Sequence, residues 1–205
     1  MVILSSTILI SSEQQIGVAQ NMFEVMTTDR ILSALAELGF SPTDNGPLEM
    51  IVCRPASGVR RLIDCGELRL DEGLLGDNWR QRGSAAMADG SANPGAQITI
   101  MNSRVIAALA QDRSRWPLAG DQLYVDLDLS VDNLKPGQRL AVGTAVLEVS
   151  TVPHTGCAKF TERFGHDAIR LVNSSEGRRT NMRGINARVV QAGAFCLGDR
   201  VTKVK

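Results

Sequence analysis

A mainly β fold with a few helices, an α+β chain built on a barrel or sandwich, is what this sequence predicts, and three observations predict it. Residues 134–149 alternate strand-forming Leu and Val around two glycine turns. Short β-like runs recur along the chain with little helix between them. Glycine is frequent, 19 in 205 residues, and falls at turn-like positions.

The elements follow in order. Residues 28–39 read as a helix: Ile31, Leu32, Leu35 and Leu38 share one face, Thr28 or Asp29 can cap the start and Gly39 can end it. Ser41-Pro42-Thr43-Asp44-Asn45-Gly46-Pro47 is rich in breakers and marks a boundary. The expected division is an N-terminal appendage with one helix, 1–47, and a main β domain, 48–205. Residues 48–54 form a short apolar strand candidate. Residues 58–77 read as turns and short strands, 80–95 as a loop, and 97–101 as a buried strand. Asn102 or Ser103 can cap a helix through about 111, with Val105, Ile106 and Leu109 inward. Pro136-Gly137 suits a tight turn, and Gly143-Thr144 can reverse the chain into a hairpin. Short helices are expected at 158–164 and 167–173, and strands at 186–190 and 200–204.

Lys plus Arg and Asp plus Glu are equal, at 22 each. Such a balance offers no general attraction to nucleic acid or anionic membranes, so neither is an expected partner. The opening MVILSSTILISSEQQ has no basic start, and serines break its apolar run; it reads as a tail or first strand rather than a signal or span. Cytoplasmic residence is the default expectation. Cys53, Cys65, Cys157 and Cys196 show no CxxC spacing, which argues against a zinc ribbon and for free thiols in a reducing compartment.

Chemistry concentrates in Val152-Pro153-His154-Thr155-Gly156-Cys157-Ala158-Lys159-Phe160. If a helix starts here, Cys157 sits near its N-terminus, where peptide dipoles and Lys159 favour the thiolate. Gly156 leaves the sulfur approachable, and His154 can exchange a proton with it. The competing reading of any free cysteine is a small core hydrophobe, and Cys53, Cys65 and Cys196 are read as structural. His154 and Cys157 alone make a poor zinc site. His166, after Gly165, is expected at the surface. A second constellation is cationic: Arg54, Arg60 and Arg61, with Arg178, Arg179, Arg183 and Arg188 later on. A pocket joining them would suit an anionic cofactor, while the bland reading is a solvated face with acidic partners. Asp126 and Asp128 read as a polar strand face, and the Gly-Asp pairs at 76–77, 120–121 and 198–199 as recurrent turns.

Several segments in this order resemble the MOSC family, the C-terminal domain of molybdenum cofactor sulfurase. They are Glu72-Gly73-Leu74-Leu75-Gly76-Asp77, Asn133-Leu134-Lys135-Pro136-Gly137, Gly143-Thr144-Ala145-Val146-Leu147-Glu148-Val149, Pro153-His154-Thr155-Gly156-Cys157, and Arg183-Gly184-Ile185-Asn186-Ala187-Arg188-Val189-Val190 with Gly193 and Leu197-Gly198-Asp199. The resemblance implies a MOSC-type β-barrel and a sulfur-carrying role, in which Cys157 accepts sulfane sulfur as a persulfide. Taken with the local reading of the residues, this puts Cys157, His154 and Lys159 at the chemistry, and Arg60, Arg61, Asp77, Arg183 and Arg188 around an anionic cofactor or small-molecule acceptor. Such a chain needs a separate sulfur donor, such as a pyridoxal-phosphate cysteine desulfurase, and no built-in cofactor. The alternative implied by relatives is a molybdenum-cofactor reductase of N-hydroxylated compounds with Cys157 on the metal. A non-catalytic binding module is the third reading. Many relatives carry a histidine shortly after the early Gly-Asp pair; here Asn78-Trp79 follows.

Overall fold

The structure is a computed structural model that describes residues 24–204, so the reading of the opening fifteen residues lies outside it. Its strands are β1 (Gly46–Cys53), β2 (Arg61–Leu62), β3 (Cys65–Arg69), β4 (Gly73–Leu74), β5 (Ile98–Asn102), β6 (Leu123–Val125), β7 (Arg139–Val142), β8 (Ala145–Val149), β9 (Ile185–Gln191), β10 (Gly193–Cys196) and β11 (Arg200–Val204). Its helices are α1 (Thr28–Leu38), α2 (Trp79–Arg82), α3 (Ser103–Ala110), α4 (Ala158–Asn173) and α5 (Ser175–Arg179).

Seven strands pair in the order β11-β7-β8-β9-β5-β6-β1, and β1 pairs back to β11, which closes a barrel. Closure removes the unpaired edges that an open sheet would present. The β7–β8 hairpin turns at Gly143-Thr144, with Val142 opposite Ala145 and Leu140 opposite Leu147. The β5–β6 pairing is parallel. A parallel neighbour needs a crossover, and here α3 and a 3₁₀ segment, Arg113–Ala119, supply it. That crossover delivers residues 117–122 to the start of β6.

Side-chain alternation explains why β1, β5 and β6 are buried on both faces. Ile51, Ile100 and Leu123 point into the barrel with Leu48, Leu140 and Leu147. Val52, Met101 and Tyr124 point outward into a second core beneath the helices, with Ile31, Ile106, Phe160 and Phe164. Asn102 caps α3, its side chain accepting from the Arg104 and Val105 amides. Thr27, rather than Thr28 or Asp29, caps α1. Only part of that helix's expected apolar face is covered: Ile31 is buried, but Leu32 and Leu38 are 43% and 39% exposed. The helical run after Cys157 breaks at Gly165, whose φ of 90° no helix accommodates. The two expected short helices are therefore two halves of α4.

One expectation fails outright. Cys65 and Cys196 are not free thiols but a disulfide, facing each other across the antiparallel β3–β10 pair. Their separation of 131 residues hides the contact in sequence. The bond staples a three-stranded sheet, β10-β3-β4, outside the closed barrel. Cys53 is buried, as expected of a core residue.

Candidate functional site

The turn at residues 117–120 is where distant parts of the chain meet. It ends the 3₁₀ segment, and carbonyls at a helix end are short of intrahelical donors; Pro117 accepts from the Gly120 amide at 3.1 Å. Four consecutive carbonyls each receive a different guanidinium: Arg60 Nε donates to Pro117 (3.3 Å), Arg163 to Leu118 (2.7 Å), Arg183 to Ala119 (2.8 Å) and Arg54 to Gly120 (2.8 Å). Arg54 and Arg60 come from the loop between β1 and β2, Arg163 from α4, and Arg183 from the turn before β9.

Two of the four are neutralised. Arg54 forms a buried pair with Asp77 through Nε (2.8 Å) and NH2 (3.0 Å), and the same carboxylate accepts from the Arg54 and Trp79 amides. Asp77 is thus committed to anchoring Arg54. Arg183 pairs with the wholly buried Asp121 at 2.7 Å and lies over the Phe160 ring at 4.9 Å. Arg60 and Arg163 have no carboxylate partner among the described residues. Burial first, then the positive charges of Arg163 and Arg54, hold Arg60 below its ordinary pKa. Cations crowded in this way gain from an incoming anion.

The loop of residues 150–157 carries the predicted chemistry and is tied down at three points. The Val152 amide donates to Ser150 Oγ (3.0 Å). Asn186 Nδ2 donates to the carbonyls of Val152 (3.1 Å) and Pro153 (3.3 Å). Asn173 brackets Gly156. At the loop's end Cys157 is the extended cap residue of α4, its carbonyl accepting from the Phe160 and Thr161 amides. Of the chain's four cysteines it alone is both free and exposed. Lys159 is exposed in the first turn of α4.

His154 behaves differently from the expectation of a proton shuttle. Its Nδ1 is enclosed and lies 3.5 Å from Asp121 Oδ1. Burial first, then Arg183, push its pKa down to about 3, with Asp121 opposing and Arg54 adding to the depression. The imidazole is neutral at physiological pH, so it serves as a hydrogen-bonding group rather than a titrating one. The ring lines a cavity of about 280 Å³ together with Leu134, Val149, Val152, Arg178 and Asn186.

The structure therefore brings Arg60, Asp77 and Arg183 together, with His154 alongside through Asp121. It does not bring Arg61 or Arg188 to them. Arg61 is exposed on β2 and lines a separate cavity with Cys53 and Cys65. Arg188 projects outward from β9 and pairs with Glu148 at 2.6 Å. Arg179 pairs with Glu176 and Asp132. His166 is exposed, and Asp126 pairs with Arg104 at 2.8 Å. Sequence reading missed Arg163 and Asp121. The Gly120-Asp121 pair reads as turn chemistry in the sequence, although Asp121 and Gln122, two polar residues leading straight into the buried Leu123-Tyr124-Val125, need partners.

Fold and site together define a closed β-barrel with one free exposed thiol at the end of a loop whose His154 faces Asp121, the partner of Arg183. A family model for the MOSC domain matches residues 88–202, and the chain belongs to the MOSC family. No curated protein matches it. Among solved structures it is similar to the YUAD protein from Bacillus subtilis, at 19% identity and a TM-score of 0.60, over 78% of this chain and 97% of that one. It is also similar to YiiM from Escherichia coli, at 21% identity and a TM-score of 0.52, over 78% of this chain and 70% of that one. At such identities these likenesses establish the fold.

Proposed function

We propose that the chain is a sulfur carrier that accepts sulfane sulfur on Cys157 as a persulfide and passes it to an anionic acceptor during maturation of molybdenum cofactor or another metal–sulfur centre. The observation that carries the reading is that the chain's one free exposed thiol caps α4, the same helix that supplies Arg163 to a group of guanidiniums of which Arg60 and Arg163 have no carboxylate partner among the described residues. The Cys157 thiolate attacks the outer sulfur of a donor persulfide. The donor S–S bond breaks, the donor leaves as a thiolate, and Cys157 keeps the added sulfur. A separate protein, such as a pyridoxal-phosphate cysteine desulfurase, supplies the persulfide. Arg60 and Arg163 hold the acceptor's negative charge, with Arg54 and Arg183 fixed behind them.

The test is sulfur loading from a polysulfide donor, read by peptide mass spectrometry. The wild-type peptide containing Cys157 should gain one sulfur, and Cys157→Ala should gain none. Equal loading of that variant sinks the reading.

A second reading has the same thiol as ligand to a molybdenum cofactor in a reductase of N-hydroxylated compounds. Arg60 and Arg163 favour it, because guanidiniums without a carboxylate partner among the described residues suit the cofactor's phosphate. On this reading Cys157, the free exposed thiol, would be its protein ligand. When bound, that group would supply the redox chemistry. Protein purified from cofactor-rich cells should then contain molybdenum and pterin in near-equal amount with the chain; their absence counts against this reading.

A further inference from the structure

Asp121 has no exposure at all, and one of its oxygens, Oδ1, has no hydrogen-bond partner. Facing it at 3.5 Å is His154 Nδ1, equally enclosed and equally without a partner. Leaving two buried polar atoms unpaired is costly, and one proton between them resolves both. A closure of about half an ångström reaches ordinary N–H···O length. The proton is placed on nitrogen, because Oδ2 accepts from Arg183 at 2.7 Å in a buried ion pair, and a carboxylate in such a pair offers only acceptors.

We infer that Asp121, backed by Arg183, is a positioning residue that fixes His154 in the tautomer protonated at Nδ1, leaving Nε2 as an unprotonated hydrogen-bond acceptor. Nδ1 is enclosed, so the ring's 13% side-chain exposure belongs to its other atoms, and the ring lines the 280 Å³ cavity. The charged groups facing the ring, Arg183, Asp121 and Arg54, carry a net positive charge, which opposes a second proton on the imidazole. The ligand class that suits this nitrogen is one presenting an N–H or O–H donor beside the Cys157 loop, on an apolar body that fits Leu134, Val149 and Val152. The use of that donor in sulfur transfer rests on the sulfur-carrier reading; the tautomer does not.

The test is nitrogen-15 NMR of the full chain labelled at histidine, with His166→Gln to leave a single ring. The wild type should show protonated Nδ1 and unprotonated Nε2, unchanged from pH 8 to pH 5. In Asp121→Asn the tautomer should invert. Arg183 draws the new carbonyl, the amide NH2 turns to His154, and Nδ1 must then accept. If that variant does not fold, Arg183→Met serves instead. It should keep the Nδ1–H tautomer while raising the pH at which the ring titrates, since the positive charge facing it is removed and Asp121 is then free to pair with an imidazolium; a ring protonated at Nε2 in this variant also overturns the inference. A wild-type ring protonated at Nε2, or a folded Asp121→Asn with an unchanged tautomer, overturns the inference. Sulfur loading of Cys157 is a separate readout, so failure of either idea is recognisable without the other.

Discussion

Asn173 grips the backbone of Gly156 with both ends of its amide: the Gly156 N–H donates to Oδ1 at 2.9 Å, and Nδ2 donates to the Gly156 carbonyl at 3.2 Å. Because Asn173 ends α4 and Cys157 begins it, this clamp joins the thiol loop to the far end of the same helical run. A Cβ at residue 156 would lie 3.1 Å from Ile169 and 3.2 Å from Val172, so a side chain there would press on both. Asn173→Ala should cost about 1–3 kcal/mol, through the part-buried groups left unpaired, and should change the alkylation rate of Cys157. Urea unfolding and iodoacetamide kinetics check the two effects. A less stable variant with an unaltered thiol rate would show that the clamp supports only the fold.

His154 makes stability depend on pH. Its native pKa is pushed down to about 3 from an ordinary 6.5. Between those values the unfolded chain binds a proton that the native chain refuses, so the contribution is complete above pH 6.5 and falls as pH drops toward 3. The slope is about 1.4 kcal/mol per pH unit. His154→Gln should flatten the difference between urea unfolding at pH 7 and at pH 5. An equal pH dependence in wild type and variant would refute the assignment.

How far the sequence reveals this molecule depends on the range of the interaction. The β7–β8 hairpin and the break at Gly165 were legible because turn chemistry and short periodicity are local. The disulfide was not, since Cys65 and Cys196 meet through sheet pairing across 131 residues. At the candidate site, Cys157 and His154 stood out as a local motif. Which arginines gather together did not, because Arg54, Arg60, Arg163 and Arg183 are collected by a turn of main-chain carbonyls that no side-chain pattern announces. Arg188 looked equivalent to Arg183 in sequence, yet strand alternation turns it outward to Glu148.

Asp77 supports the cluster rather than the ligand. Its carboxylate spends both oxygens on Arg54 and two amides. Asp77→Ala leaves a buried guanidinium without its counter-charge and should cost about 3–5 kcal/mol. Denaturant unfolding measures this. A loss below about 1 kcal/mol, the range of exposed pairs, would mean that water reaches Arg54 freely.

Arg60 and Arg163 should matter for anions and little for folding. Each donates to a main-chain carbonyl and faces no carboxylate among the described residues. Replacing either with Ala should weaken binding of phosphate, used as the probe, by about tenfold, which corresponds to about 1.4 kcal/mol. Titration calorimetry at two salt concentrations checks this. Phosphate binding that both variants retain in full would remove the cluster from the acceptor site.

The Cys65–Cys196 disulfide closes most of the chain into one loop, and that determines what its removal should do. Loop-closure entropy sets an upper figure of about 5 kcal/mol for a bridge spanning 131 residues. The β3–β10 ladder remains when the bridge is gone, since Gly193, Ala194 and Phe195 still pair with Leu68, Glu67 and Gly66. The double variant Cys65→Ser, Cys196→Ser should therefore fold but lose about 2–4 kcal/mol. The bridge lies in the small sheet, whereas Cys157 sits on the loop held by Ser150, Asn186 and Asn173. Alkylation of Cys157 should accordingly proceed at the wild-type rate in the double variant. A changed Cys157 rate would mean that the small sheet and the thiol loop are coupled through Asp77 and Arg54, which link β4 to the arginine-lined turn.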